Sequence, residues 1–71
     1  MHAGPNYAAF DGIRVLVVED HDGVRDFLCQ TLAAMRLSVR SAPDGETALE
    51  LAAQETPDLL VVDLGLPRLD G

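Results

Sequence analysis

The chain has 71 residues, 48% of them hydrophobic, and a formal net charge of −7 from twelve acidic residues against five arginines and no lysine. A chain this short is at most one small domain with a marginal core; its hydrophobic content argues against disorder, and its acidity disfavours direct binding to nucleic acid or an anionic membrane. No apolar run approaches the roughly 20 residues of a membrane span, the start MHAGPNYAAF lacks the pattern of a signal peptide, and the single Cys29, lying among Phe27, Leu28 and Leu32, reads as a buried thiol in a soluble cytoplasmic chain.

Residues 1–12 carry Gly4, Pro5, Asn6 and Asp11-Gly12 without an apolar period, which reads as a flexible tail closed by a turn. Residues 13–18 (IRVLVV) are β-branched, nearly unbroken and stopped by acids, as expected of a parallel strand covered on both faces. From about residue 23 to 35, Val24, Phe27, Leu28, Leu32 and Met35 recur at helical spacings, predicting a helix whose stripe lies on the sheet, with Asp22 as its cap. Residues 38–41 alternate weakly around Val39 and predict a short edge strand. Asp44 is a good N-cap for a second helix, whose apolar face is expected from Ala48, Leu49, Ala52 and Ala53 and which Thr56-Pro57 stops. Leu59, Leu60, Val61 and Val62 form a second unbroken apolar strand ending at Asp63, before a loop with Gly65 and Pro67. The pattern is β-α-β-α-β, and right-handed crossovers place the strands in the order 2-1-3.

Two of these strands end in acids, Glu19 and Asp20 after the first and Asp63 after the third. Parallel neighbours deliver all three carboxylates to one crevice at their carboxyl ends, where open α/β sheets bind ligands. Crowded carboxylates repel, so they take up protons or hold a cation, and an oxygen-only set suits Mg²⁺. The residues therefore point to a metal-assisted phosphoryl site. The plainer readings are a strand-ending acid in solvent for Asp63 and a solvated loop pair for Glu19 and Asp20. His21 reads as a loop residue bordering the acidic pocket.

From Ile13 onward the chain closely resembles the receiver domain of two-component response regulators, a flavodoxin-like α/β fold with a three-layer parallel sheet. Three segments carry the resemblance: Arg14-Val15-Leu16-Val17-Val18-Glu19-Asp20; Asp44-Gly45-Glu46-Thr47-Ala48-Leu49; and the stretch from Pro57 through Asp63, Gly65 and Pro67 to Asp70-Gly71. The last is the most specific, because it joins a strand, an Asp, a Pro four residues on and a Gly eight residues on. The resemblance implies that Asp63 is the phosphoacceptor, that Glu19 and Asp20 help hold Mg²⁺, that the Gly65 backbone carbonyl is a further ligand, and that a sensor histidine kinase supplies the phosphoryl group. It implies a signalling module and not an enzyme.

The departure lies at the C-terminal end. Receivers place a Thr or Ser after a fourth strand and a Lys after a fifth, whereas this sequence has no lysine, and Thr31, Thr47 and Thr56 all precede Asp63. Residues 13–71 are thus expected to be a truncated receiver, incompetent as a switch by itself; Arg68 is not expected to replace the lysine. The alternative is a non-catalytic interaction module, a half-receiver that pairs with a second copy through its open sheet edge. A dehalogenase-type phosphatase would need an Asp where Gly65 stands, a cobalamin signature has different spacing from Asp20-His21-Asp22-Gly23, and a G-x-G-x-x-G loop is absent.

Overall fold

A computed structural model describes residues 11–63. Most of the expected N-terminal tail, and the loop of residues 64–71 with Gly65 and Arg68, lie outside the described residues. The elements are β1 (Arg14–Val18), α1 (Asp22–Ala34), β2 (Ser38–Ala42), α2 (Gly45–Gln54) and β3 (Leu59–Val62). The three strands form one parallel sheet in the order β2-β1-β3, the flavodoxin-like arrangement expected from the sequence.

Central β1 is the most buried element because it has a neighbour on each side and a helix over each face. Successive side chains of a strand point to opposite faces. Leu16 therefore joins Ala42 and Ala48 in a small core under α2, with Val18, Leu51 and Ala52 packed around it. Val15 and Val17, fully buried, face the other way and are covered from the α1 side. Right-handed connections put the two helices on opposite faces, since one connection runs from β1 outward to β2 and the other returns across β1 to β3.

Several expectations need correction. The N-cap of α1 is His21, not Asp22: His21 has extended backbone, and its Nδ1 accepts a hydrogen bond from the Val24 N–H at 3.3 Å. Asp22 instead occupies the first helical turn, where its negative charge meets the positive end of the helix dipole. The α1 stripe seats only in part, since Leu28, Leu32 and Met35 are half-buried whereas Val24 and Phe27 are exposed, Phe27 to 67%. Cys29 is half-buried rather than buried. The inward face of α2 is Ala48, Leu51 and Ala52, so Leu49 and Ala53 turn outward.

Helix α1 ends without glycine. Met35 is the C-cap, and Arg36 takes the left-handed conformation at φ 70° that the reversal requires, its N–H donating to the Ala33 carbonyl at 2.9 Å. Asp44 caps α2 as expected, its Oδ1 accepting from the Thr47 N–H at 2.7 Å. At the amino ends of the strands, Asp58 accepts from the Arg14 backbone N–H at 2.9 Å and pairs with its guanidinium. Arg40 donates to the Leu51 and Glu55 carbonyls, satisfying the last turn of α2 from the neighbouring strand.

Candidate functional site

Strand register builds the site. Val18 lies opposite Val62 on one side and Ala42 on the other. Pairing continues one residue further on both sides, with the Glu19 N–H donating to the Ala42 carbonyl at 3.0 Å and the Asp63 N–H donating to the Val18 carbonyl at 3.1 Å. Glu19 and Asp63 are thus fixed by backbone at adjacent strand ends. A crevice of about 330 Å³ opens there, lined by Val18, Glu19, Asp20, Pro43, Asp44 and Asp63. The three acids expected from sequence come together. Asp44, read from sequence only as a cap, joins them; the signal for it is the in-register pairing of Ala42 with Val18, which cannot be seen until β2 is aligned.

Within the crevice the carboxylates differ. Asp20 and Asp63 are exposed, so a reactant can reach them. Asp44 is committed to its cap: the Thr47 backbone N–H, and then the Thr47 hydroxyl, hold its carboxyl below the usual carboxylate range. Glu19 is buried, only 5% exposed. Its Oε2 accepts from the His21 N–H at 2.9 Å, while Oε1 is buried with no hydrogen-bond donor. Two ionised carboxylates cannot hydrogen-bond to each other, but a proton held between them can. Hydrogen bonding with Asp63 is accordingly the largest influence on Glu19, raising its carboxyl above the ordinary value; burial and the Asp63 charge push the same way, against the His21 N–H.

This donor set fits a hard cation. A buried oxygen without a donor, facing a like-charged neighbour in a crevice of oxygen ligands only, is relieved equally well by a proton or by a metal ion. Among the described residues no group of three or more His, Cys, Asp or Glu side chains is placed so that it could hold a metal ion. Mg²⁺ does not need one, because it usually keeps several waters and takes one or two carboxylates. His21 uses its Nδ1 on α1 and its backbone N–H on Glu19, so it forms part of the scaffold of the site.

The family model for the response regulator receiver domain matches residues 15–71. The chain is 46% identical over 59 residues to the response regulator MprA of Mycolicibacterium vanbaalenii, and equally to those of Mycobacterium tuberculosis and Mycobacterium leprae. These alignments cover 83% of the chain but 26% of each relative, so the chain spans about a quarter of their length. No solved structure matches. Among the described residues, no helix is long and apolar enough to cross a membrane.

Proposed function

The chain belongs to the response regulator receiver domain family of two-component systems, and from this premise we propose that Asp63 is its phosphoacceptor, taking a phosphoryl group from a phosphohistidine on a sensor kinase. The observation that carries the reading is the meeting of Glu19, Asp20 and Asp63 in one crevice at the carboxyl ends of β1 and β3. An Asp63 carboxylate oxygen attacks phosphorus, the bond from phosphorus to the kinase imidazole nitrogen breaks, that nitrogen keeps the electron pair, and an acyl phosphate forms on Asp63. The Asp63 backbone, held to Val18, gives the nucleophile a fixed origin on a rigid strand. Glu19 and Asp20, with Asp63 and the Gly65 carbonyl, would hold Mg²⁺, which supplies the positive charge that a transferring phosphoryl group requires. The chain supplies an acceptor and its metal ligands and acts as substrate of its kinase, not as an enzyme in its own right.

The test is to incubate the chain with Mg²⁺ and a small phosphodonor such as phosphoramidate, follow its mass, and repeat with Asp63→Asn. One phosphoryl group on the parent chain and none on the variant is the expected result; equal modification of both would refute the assignment. A second reading is favoured by β3, whose Leu59, Leu60 and Val62 are all about half exposed. There the chain associates with a second copy through its sheet edge. Light scattering across a concentration series without phosphodonor separates the two, since only association through β3 predicts a mass that rises with concentration and falls back when Leu60 is replaced by a charged residue.

A further inference from the structure

Three of the four described arginines pair away from the crevice: Arg14, which opens β1, with Asp58 and Glu55, Arg40, in the middle of β2, with Glu55, and Arg36, in the turn before β2, with Asp11. Arg25 alone lies at the acidic end. Its Nη1 donates to the Glu19 carbonyl at 2.9 Å and its Nη2 donates to Asp22 Oδ1 at 2.6 Å. The pair with Asp22 is an ordinary contact three residues apart on a helix, and Asp22 is 87% exposed. Such a pair alone contributes little and would leave the arginine in solvent. The Arg25 side chain is instead only 19% exposed, and its second bond goes back across the loop to the end of the central strand.

That carbonyl is where β1 leaves the sheet. Glu19 still donates its N–H to β2, but the chain then turns into α1, and the planar guanidinium satisfies the Glu19 carbonyl in place of a further strand. A peptide group is planar, so fixing the Glu19 carbonyl fixes the Asp20 N–H and the direction in which the chain enters Asp20. The His21 N–H one residue on is the donor that holds Glu19 Oε2 and leaves Oε1 in the crevice. The Arg25 N–H also donates to the His21 carbonyl at 2.9 Å, so one residue grips both ends of the turn.

We propose that Arg25 is the positioning residue of the acidic crevice, its guanidinium fork setting the Glu19–Asp20 peptide so that both carboxylates are presented to a divalent cation. The assignment rests on the phosphoacceptor reading for the identity of that cation, but its structural half stands apart. Replacing a group that orients a metal ligand lowers metal affinity by about 10- to 100-fold, whereas loss of a surface ion pair leaves it unchanged.

The experiment compares the full chain with Arg25→Gln, Arg25→Lys and Asp22→Asn, reading Mg²⁺ affinity from the Asp20 and His21 amide shifts and amide exchange without metal. Arg25→Gln should weaken Mg²⁺ binding at least about tenfold and speed exchange of the His21 amide, while the Leu16 and Val17 amides stay as protected as in the parent. Arg25→Lys, which keeps the charge but lacks the planar fork, should fall between, and Asp22→Asn should match the parent. A folded Arg25→Gln chain with parental affinity and a protected His21 amide overturns the proposal. If Arg25→Gln does not fold, Arg25→Lys decides, and parental affinity there overturns it. A parent chain that shows no Mg²⁺-dependent shift overturns the functional reading instead, and loss of His21 protection in the variants would still support Arg25 as the clamp of the loop.

Discussion

Leu16→Ala is the perturbation that most directly tests how the sheet holds the site, because Leu16 is 1% exposed and is the only large side chain in the buried cluster with Ala42 and Ala48. Removing three carbons forfeits about 2.4 kcal/mol at ~0.8 kcal/mol per buried methylene. The neighbours are alanines, which cannot extend to fill the gap. However, an apolar groove of about 380 Å³ lined by Leu16, Leu49, Leu60 and Val62 adjoins the position, so Leu49 and Leu60 can lean in and the cavity contribution stays small. The expected loss is therefore about 3 kcal/mol, at the low end of measured leucine-to-alanine costs. At roughly 0.05–0.15 kcal/mol per residue, a unit of this size has only about 3–8 kcal/mol of stability, so the change removes a large share of it. Urea unfolding followed by circular dichroism at 222 nm measures the difference, with Leu60→Ala as control. Leu60 is 54% exposed, and its truncation should cost about 1 kcal/mol. A Leu16→Ala loss no larger than that of Leu60→Ala would show that the β1–α2 core does not carry the fold.

Asp58 is held below its ordinary carboxylate value by the Arg14 backbone N–H and then by the Arg14 guanidinium. The folded state therefore binds this proton less readily than the unfolded one: the stabilisation is present above about pH 3.9 and is lost as pH falls through the folded value. Asp58→Asn should flatten the acid limb of a stability–pH profile, and an unchanged limb would refute the contact. Arg36→Gly relieves a left-handed residue that carries a side chain and should raise stability by up to about 1 kcal/mol in the same urea assay; a loss would mean that its exposed pair with Asp11 outweighs the strain. Glu19→Gln replaces a buried oxygen that lacks a donor with an amide able to donate to Asp63, so it should raise the metal-free urea midpoint at pH 7 and weaken Mg²⁺ binding, and a lowered midpoint would show that the crevice does not repel itself.

The two aliphatic strands and their acids were legible because an unbroken run stopped by charge has few other solutions in a short chain. What sequence could not supply was orientation. His21 caps α1 through a ring nitrogen, a role that residue preferences assign to Asp22 beside it, and only the extended backbone at residue 21 decides between them. The inward face of α2 was misplaced because leucine and alanine fill positions 48, 49, 51, 52 and 53 nearly all round the helix, so periodicity does not choose a side. The turn after α1 gave no signal, since a left-handed residue there is normally glycine and here is Arg36. In the site, Glu19, Asp20 and Asp63 could be grouped from strand ends alone, whereas Asp44 and Arg25 depend on register and on the path of a side chain, which no spacing rule contains.

Charge is segregated along the strands, and the segregation links stability to function. Away from the crevice, arginines meet acids in pairs that the fold completes by itself, Arg14 at the start of β1 with Asp58 and Arg40 in the middle of β2 with Glu55. At the carboxyl ends, four carboxylates line one crevice, and Arg25, at the start of α1 beside it, spends its donors on the Glu19 backbone and on Asp22. Its position orders the acids without neutralising them. A crevice built this way is held in shape by backbone and guanidinium contacts, and its crowded carboxylates are relieved by a proton or by a cation. On the proposed reading, adding an arginine to pair with Glu19 internally would raise stability and weaken Mg²⁺ binding. On that reading, the repulsion left at the end of the most buried strand is what an incoming cation would relieve.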